Sequence, residues 1–232
     1  MRDWIQQRID DGSSVATAQR IERRESKTAE WFRKNRNTAI GLISAIAVIA
    51  LVGGYWWAAK QRKENFAERA LASARNAADQ GNLPLASSDL ARMVSTYSGT
   101  RAAQEGTLLL AQVRLLQKQN ALAVSDLRKF IASGPRAEFR GPANGLLAAA
   151  LEEAAQPADA AKAYESAAAA TPYKGVKAQY LLDAARTYAV AGDTTQATRI
   201  YEQVTRDFKT QGSAVEAQVR LTELRKSAIK PS

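Results

Sequence analysis

The chain has 232 residues, 46% of them apolar, and a formal net charge of +10, a size that holds one medium domain with additions. It contains no cysteine and no histidine, which excludes a disulfide framework, a thiolate metal site and any nucleophilic device built on Ser/His/Asp or Cys/His. The basic excess is spread out, with no block of five like charges, which is the pattern of a solvated surface and not of a nucleic-acid site.

Residues 1–36 read as a tail, partly helical and cytoplasmic. Trp4, Ile5 and Ile9, then Val15, Ala18 and Ile21, permit short helices. Asp11-Gly12-Ser13-Ser14 is a turn signal, with Ser14 placed to cap a helix from Val15. Arg20–Arg24 carries three arginines suited to anionic headgroups.

Residues 37–59 are predicted to form a transmembrane helix. No charged residue occurs from Asn37 to Ala59, and Thr38 to Ala59 spans about 33 Å as a helix, enough for a bilayer core. Interfacial anchors stand at both ends: Trp31, Phe32, Arg33 and Lys34 before it, Tyr55, Trp56 and Trp57 at its exit, then Lys60, Arg62 and Lys63. The apolar stretch starts too late, is too long and is bounded by aromatics too bulky for a cleaved signal peptide, so it reads as an uncleaved signal anchor. Arg23, Arg24, Lys27, Arg33, Lys34 and Arg36 precede it, against Lys60, Arg62, Lys63, Arg69 and Arg75 after it. That bias puts the N-terminus inside and the rest of the chain outside.

Residues 60–211 are periodic. Ala74, Ala111, Ala148 and Ala185 stand 37 residues apart; Ala86, Ala123, Ala160 and Ala197 keep the same step, as do Leu90, Leu127, Tyr164 and Tyr201. Such a period means stacked supersecondary units. Four units follow, at about 67–100, 104–137, 141–174 and 178–211. In the last, Leu181, Ala185 and Tyr188 recur at helical spacing, Gly192-Asp193 breaks the helix, and Thr194 or Thr195 starts a second one carrying Ala197, Tyr201 and Val204. The corresponding turns fall at Gly81-Asn82, around Lys118-Gln119-Asn120, and at Ala155-Gln156-Pro157. Pro135, Pro142 and Pro172 are expected between units, where helices stop. Strand alternation is missing after residue 60. In residues 212–232, Ala214, Ala217, Val219, Leu221 and Leu224 give one dry side to a helix over Ser213–Ser227, suited to cap the open end of the stack. The fold predicted is all-α: one N-terminal transmembrane helix, an α-solenoid of about four helix-turn-helix repeats and a capping helix.

These columns resemble the tetratricopeptide repeat (TPR). Tyr188, Gly192, Ala197 and Tyr201 match its pattern, as do Ala160, Tyr164, Ala167 and Pro172; Arg114 stands where an aromatic is usual and Lys118 replaces the turn glycine. The usual TPR period is about 34, so the step of 37 implies about three extra residues per inter-unit loop. The sequence Glu30-Trp31-Phe32-Arg33-Lys34-Asn35, the apolar span ending Gly54-Tyr55-Trp56-Trp57, and Gln61-Arg62-Lys63-Glu64 leading into an Ala-rich helix look like the YfgM-type membrane-anchored TPR proteins of bacteria. That resemblance implies the bacterial inner membrane, a periplasmic repeat domain, and partnership with the SecYEG translocon and the periplasmic chaperone PpiD. The longer N-terminal tail departs from the family.

The first helix of each stacked pair lines the concave side of a solenoid, so the candidate partner groove is Glu68, Leu71 and Arg75, then Glu105, Leu108 and Gln112, then Ala149 and Glu152, then Gln179, Leu182 and Arg186. A Lys/Asn clamp for a C-terminal carboxylate is not among them. Glu152-Glu153 is the one adjacent acidic pair in these helices that invites a general acid/base reading, but neighbours on a helix point about 100° apart, and no catalytic constellation converges. No phosphate loop, cofactor site or metal site is predicted; the partners expected are proteins and the lipid bilayer. Two roles fit: a membrane-tethered adaptor for a translocon or chaperone, or a structural subunit or assembly factor of a larger membrane complex.

Overall fold

The computed structural model describes residues 34–210 and 212–229, and the described residues fold into helices joined by short turns: α1 (Arg36–Asp79), α2 (Leu83–Thr96), α3 (Arg101–Leu116), α4 (Asn120–Ala132), α5 (Ala137–Glu153), α6 (Pro157–Ala170), α7 (Lys174–Val190), α8 (Thr194–Asp207) and α9 (Gly212–Ile229). No strand occurs among them. Two compact units divide between Lys60 and Gln61.

In the first unit, α1 presents an apolar sleeve. Ile40, Leu42, Ile43, Ile46, Val48, Ile49, Leu51 and Val52 are each more than half exposed, and α1 alone among the described helices is long and apolar enough to cross a membrane. Its most apolar window has a mean hydropathy of 1.9.

In the second unit, each helix from α2 onward packs on the next, and α3 also packs on α5 and α7 on α9. The alanine columns explain how. Ala74, Ala111, Ala148, Ala185, Ala86, Ala123, Ala160 and Ala197 are all fully excluded from solvent, and Leu90, Leu127, Tyr164 and Tyr201 are buried beside them. A methyl group at each helix crossing lets the backbones approach, and one large side chain four residues on fills the space left. The 37-residue period is therefore a packing period.

The turns inside the pairs obey the same period. Gly81, Lys118, Ala155 and Gly192 all adopt positive φ, at 78°, 60°, 56° and 82°. Each helix ends in the same pair of backbone bonds; at Gly192 they run from Gly192 N–H to the Ala189 carbonyl and from Asp193 N–H to that of Tyr188, and at Lys118 from Lys118 N–H to Leu115 and from Gln119 N–H to Arg114. This is the Schellman arrangement, which glycine serves best. Asn82 and Asp193 then cap the following helices, accepting from Leu85 and Gln196 N–H.

The expectation that Pro142 lies between units is corrected: it sits inside α5, which starts at Ala137. As the sixth residue of α5 it lies past the first turn and removes one backbone bond, a cost that the packing of α5 against α3, α4 and α6 outweighs. Val219 is also reassigned, being 52% exposed, while Ala214, Ala217 and Leu221 bury α9 against its neighbours.

The apolar core falls into two main clusters, one built on α1, α2 and α3 and one running from α3 to α9. At their border Arg114 occupies the column held elsewhere by buried Ala77, Leu151 and Tyr188, and forms an ion pair with Asp126 of α4.

Candidate partner-binding surface

The sequence-predicted groove residues gather at two places. Glu68, Leu71, Arg75 and Glu105 line one cleft of about 210 Å³ together with Glu64 and Arg101. Leu71 forms its floor, 5% exposed, and Arg75 pairs with Glu105 at 2.6 Å with both side chains nearly half exposed. A pair so exposed adds little stability and stays available to a partner.

The second place centres on Glu152. It accepts from Tyr164 Oη at 2.8 Å, Thr187 Oγ1 at 2.9 Å and Arg186 at 3.0 Å. Burial pushes its carboxyl up, but the hydrogen bonds from Arg186, Tyr164 and Thr187 outweigh that and hold it below the usual carboxylate range. Burial, then the Glu152 bond, pushes the Tyr164 hydroxyl well up. Gln179 reaches Asp183 on the same helix, whose carboxyl burial raises. Glu153 turns away from this group and pairs with Lys118 at 3.1 Å, so the adjacent acids are separate in space.

The other candidates do not join these clusters. Leu182 stands three periods on from Leu71 and is as buried, at 4% exposed, and it belongs to the core where its helix packs on its neighbours. Leu108 and Ala149 are half-buried and Gln112 is exposed. Of the residues expected to anchor a membrane span, Lys34 is exposed, and Tyr55, Trp56 and Trp57 are 74%, 70% and 70% exposed. Trp31, Phe32 and Arg33 lie outside the described residues, as do residues 1–30 of the N-terminal tail.

A third feature escaped the sequence reading. A pocket of about 820 Å³ opens between α5, the end of α6 and the start of α7, lined by Gly141, Pro142, Ala170, Pro172, Val176 and Tyr180 among others. Tyr180 rests against Gly145, where an added Cβ would come within 2.8 Å of its ring. The signal available in the sequence was the aromatic Tyr173 in the run Pro172-Tyr173-Lys174-Gly175-Val176, and the structure leaves it 70% exposed.

A family model for the tetratricopeptide repeat-like domain matches residues 29–226. No curated protein matches the chain. Similar solved structures include the nearly identical TPR-like repeats of a putative kinesin light chain from Podosopora anserina (TM-score 0.56, 19% identity, 69% of this chain and 86% of that one). A tetratricopeptide repeat protein from Parabacteroides merdae has TM-score 0.56 and 12% identity over 69% of this chain and 60% of that one. MamA from Desulfovibrio magneticus RS-1 has TM-score 0.50 and 18% identity over 74% and 96%. At these identities the likeness is one of fold.

Proposed function

Because this chain belongs to the tetratricopeptide repeat-like domain family, we propose that it is a membrane-tethered scaffold that holds other proteins, and more narrowly an ancillary adaptor of the translocon and of periplasmic chaperones. The observation that carries the scaffold reading is the repeat surface itself. Its alanine columns are consumed in packing, while Glu68, Arg75, Gln112, Gln179 and Arg186 remain exposed on the first helices of the pairs. A surface of mixed charge with modest apolar content suits transient contact with extended or helical peptide.

The narrower role rests on the resemblance to YfgM-type proteins and on α1, whose exposed apolar stretch and closing Tyr55-Trp56-Trp57 suit a single-pass anchor with the repeats on the outer side. Affinity purification after mild solubilisation is expected to recover translocon or periplasmic chaperone subunits. Their absence, under conditions that retain known translocon contacts, contradicts the narrower role. Co-migration with one other complex in fixed stoichiometry would establish the structural-subunit role in its place.

A further inference from the structure

Cations gather on one edge of the repeat domain. The loops that join one helix pair to the next lie there, and contacts tie them together. Lys63 Nζ donates to the Ser98 carbonyl at 2.9 Å, and the Glu64 carboxylate accepts the N–H groups of Arg101 and Ala102. Arg136 N–H donates to Gln104 Oε1 at 3.0 Å, and Arg101 pairs with Glu138 at 3.4 Å. Glu138 in turn lines one pocket with Tyr173 and Val176. Residues 61–64, 97–104, 133–140 and 171–177 therefore form one continuous edge. It carries Arg62, Lys63 and Arg101, then Arg136, Arg140, Lys174 and Lys177, against Glu64 and Glu138 alone, and both acids are already matched within the fold. The turns inside the pairs stand at the other ends of α3, α5 and α7, about 24 Å away along helices of 16 and 17 residues. Their balance is the reverse: Asp79, Glu153, Asp159 and Asp193 against Lys118.

Local stability does not explain the basic edge. Arg101 and Lys174 open α3 and α7, and Arg136 is the N-cap of α5. A helix N-terminus favours anions, so each of these cations stands where the dipole disfavours it. Arg62, Arg136, Lys174 and Lys177 have no ion pair or side-chain hydrogen bond among the described residues. Their complement lies outside the repeat domain. Lys63 is four residues past Ala59, the last of the uncharged stretch, and four residues reach at most about 14 Å even when extended. The anionic surface within that reach is the lipid headgroup layer, which attracts basic segments close to it. Tyr173, 70% exposed beside Lys174, adds an amphipathic ring of the kind that settles at headgroup level.

We propose that this basic edge docks the repeat domain on the anionic headgroups of the bilayer that residues 37–59 cross, with Tyr173 entering the headgroup layer. Lipid composition then sets whether the domain lies on the membrane or is released from it. The proposal rests on the reading of α1 as the anchor and adds a second, charge-dependent attachment that the tether alone does not supply.

The chain has no cysteine, so a single one can be introduced as the labelling site. Ser133→Cys on the basic edge and Gln156→Cys on the opposite edge each carry bimane. The full chain is reconstituted into nanodiscs doped with a headgroup-nitroxide lipid, which quenches fluorophores that approach the surface. In discs of phosphatidylcholine mixed equally with phosphatidylglycerol, quenching at Ser133 is expected to be at least about twofold that in phosphatidylcholine alone, and to fall back in molar salt. Quenching at Gln156 is expected to be the same in both lipids. The triple substitution Arg136→Glu, Lys174→Glu and Lys177→Glu is expected to abolish the lipid dependence. It places acids at two helix N-termini, so the helical circular dichroism and the thermal midpoint are expected to hold, which separates lost docking from lost folding. Equal quenching at Ser133 in the two lipids, an equal lipid dependence at Gln156, or a dependence that survives the charge reversal overturns the proposal. So does tight binding of a single-stranded RNA oligonucleotide with no lipid dependence, which would assign the edge to nucleic acid. A chain that does not enter the discs contradicts the anchor itself. A chain that enters them, ignores the lipid and still captures protein partners loses only the docking, and the scaffold reading stands.

Discussion

Glu64 Oε1 lies 2.8 Å from the backbone nitrogen of Ala102, so a side chain of the first helix pair caps the first helix of the second. The bond ties two repeats together through a carboxylate and a helix terminus, a combination that favours both. Glu64→Gln keeps the shape but loses the charge and half of the acceptors. A loss of about 1 kcal/mol is expected, read as a lower thermal midpoint of the repeat domain in detergent.

Lys118 and Ala155 hold the left-handed conformation at positions where the first and last pairs use glycine. A side chain costs about 1 kcal/mol there. Lys118→Gly and Ala155→Gly are therefore expected to raise stability, each by up to about 1 kcal/mol, although glycine normally weakens helical proteins. Lys118→Gly also deletes the ion pair with Glu153, which is exposed and contributes little. Gly192→Ala is expected to go the other way. Denaturation midpoints of the three variants check the sign.

The Arg114–Asp126 pair at the border of the two core clusters is 16% and 26% exposed. Arg114→Leu alone leaves the carboxylate unpaired and is expected to cost about 1–3 kcal/mol. Adding Asp126→Leu removes the stranded charge and is expected to restore most of that loss. A double-mutant cycle by urea denaturation measures the coupling; additive single effects would show that the pair carries no coupling energy.

Two tyrosines make the fold alkali-sensitive. Burial and the bond to Glu165 push the Tyr188 hydroxyl up to about 12, and Tyr164, bonded to Glu152, is raised as well. An unfolded tyrosine titrates near 10. Folded values above the unfolded one mean that these bonds stabilise fully below about pH 10 and lose their contribution as the pH rises toward 12. Stability is expected to fall across that window, and Tyr164→Phe with Tyr188→Phe to flatten the fall. Glu152 has the opposite sign: its lowered value means its contribution is present above the ordinary carboxylate range and lost as the pH drops through the folded value.

Much of the fold was legible because helix packing repeats. An alanine that must let two backbones meet leaves a column visible in one sequence, and each member of both columns proves fully buried. Pro142 was misplaced because an interior proline normally ends a helix, whereas here the packing of α5 against α3, α4 and α6 carries the helix through it, which local signals do not show. Leu182 was misassigned because its column, which puts Leu71 on the floor of a cleft, is turned into the core where α7 packs on α6, α8 and α9. The Glu152 hub was half visible: its acid was noted, but its donors Tyr164 and Thr187 lie 12 and 35 residues away and converge only in the stack. The α7 pocket was not legible because its lining comes from residues 137–142, 169–173, 176 and 180, which meet only once α5, α6 and α7 are stacked.

The most direct measurement of the account is site-specific photocrosslinking in intact membranes. A photoreactive residue is placed at Glu68, Gln112 or Gln179 on the first helices, and at Arg128 or Lys162 on the second. The account predicts crosslinks to one small, reproducible set of proteins from the first-helix positions and few from the others. Indifference to position, or a chain recovered from the aqueous fraction without detergent, would contradict it.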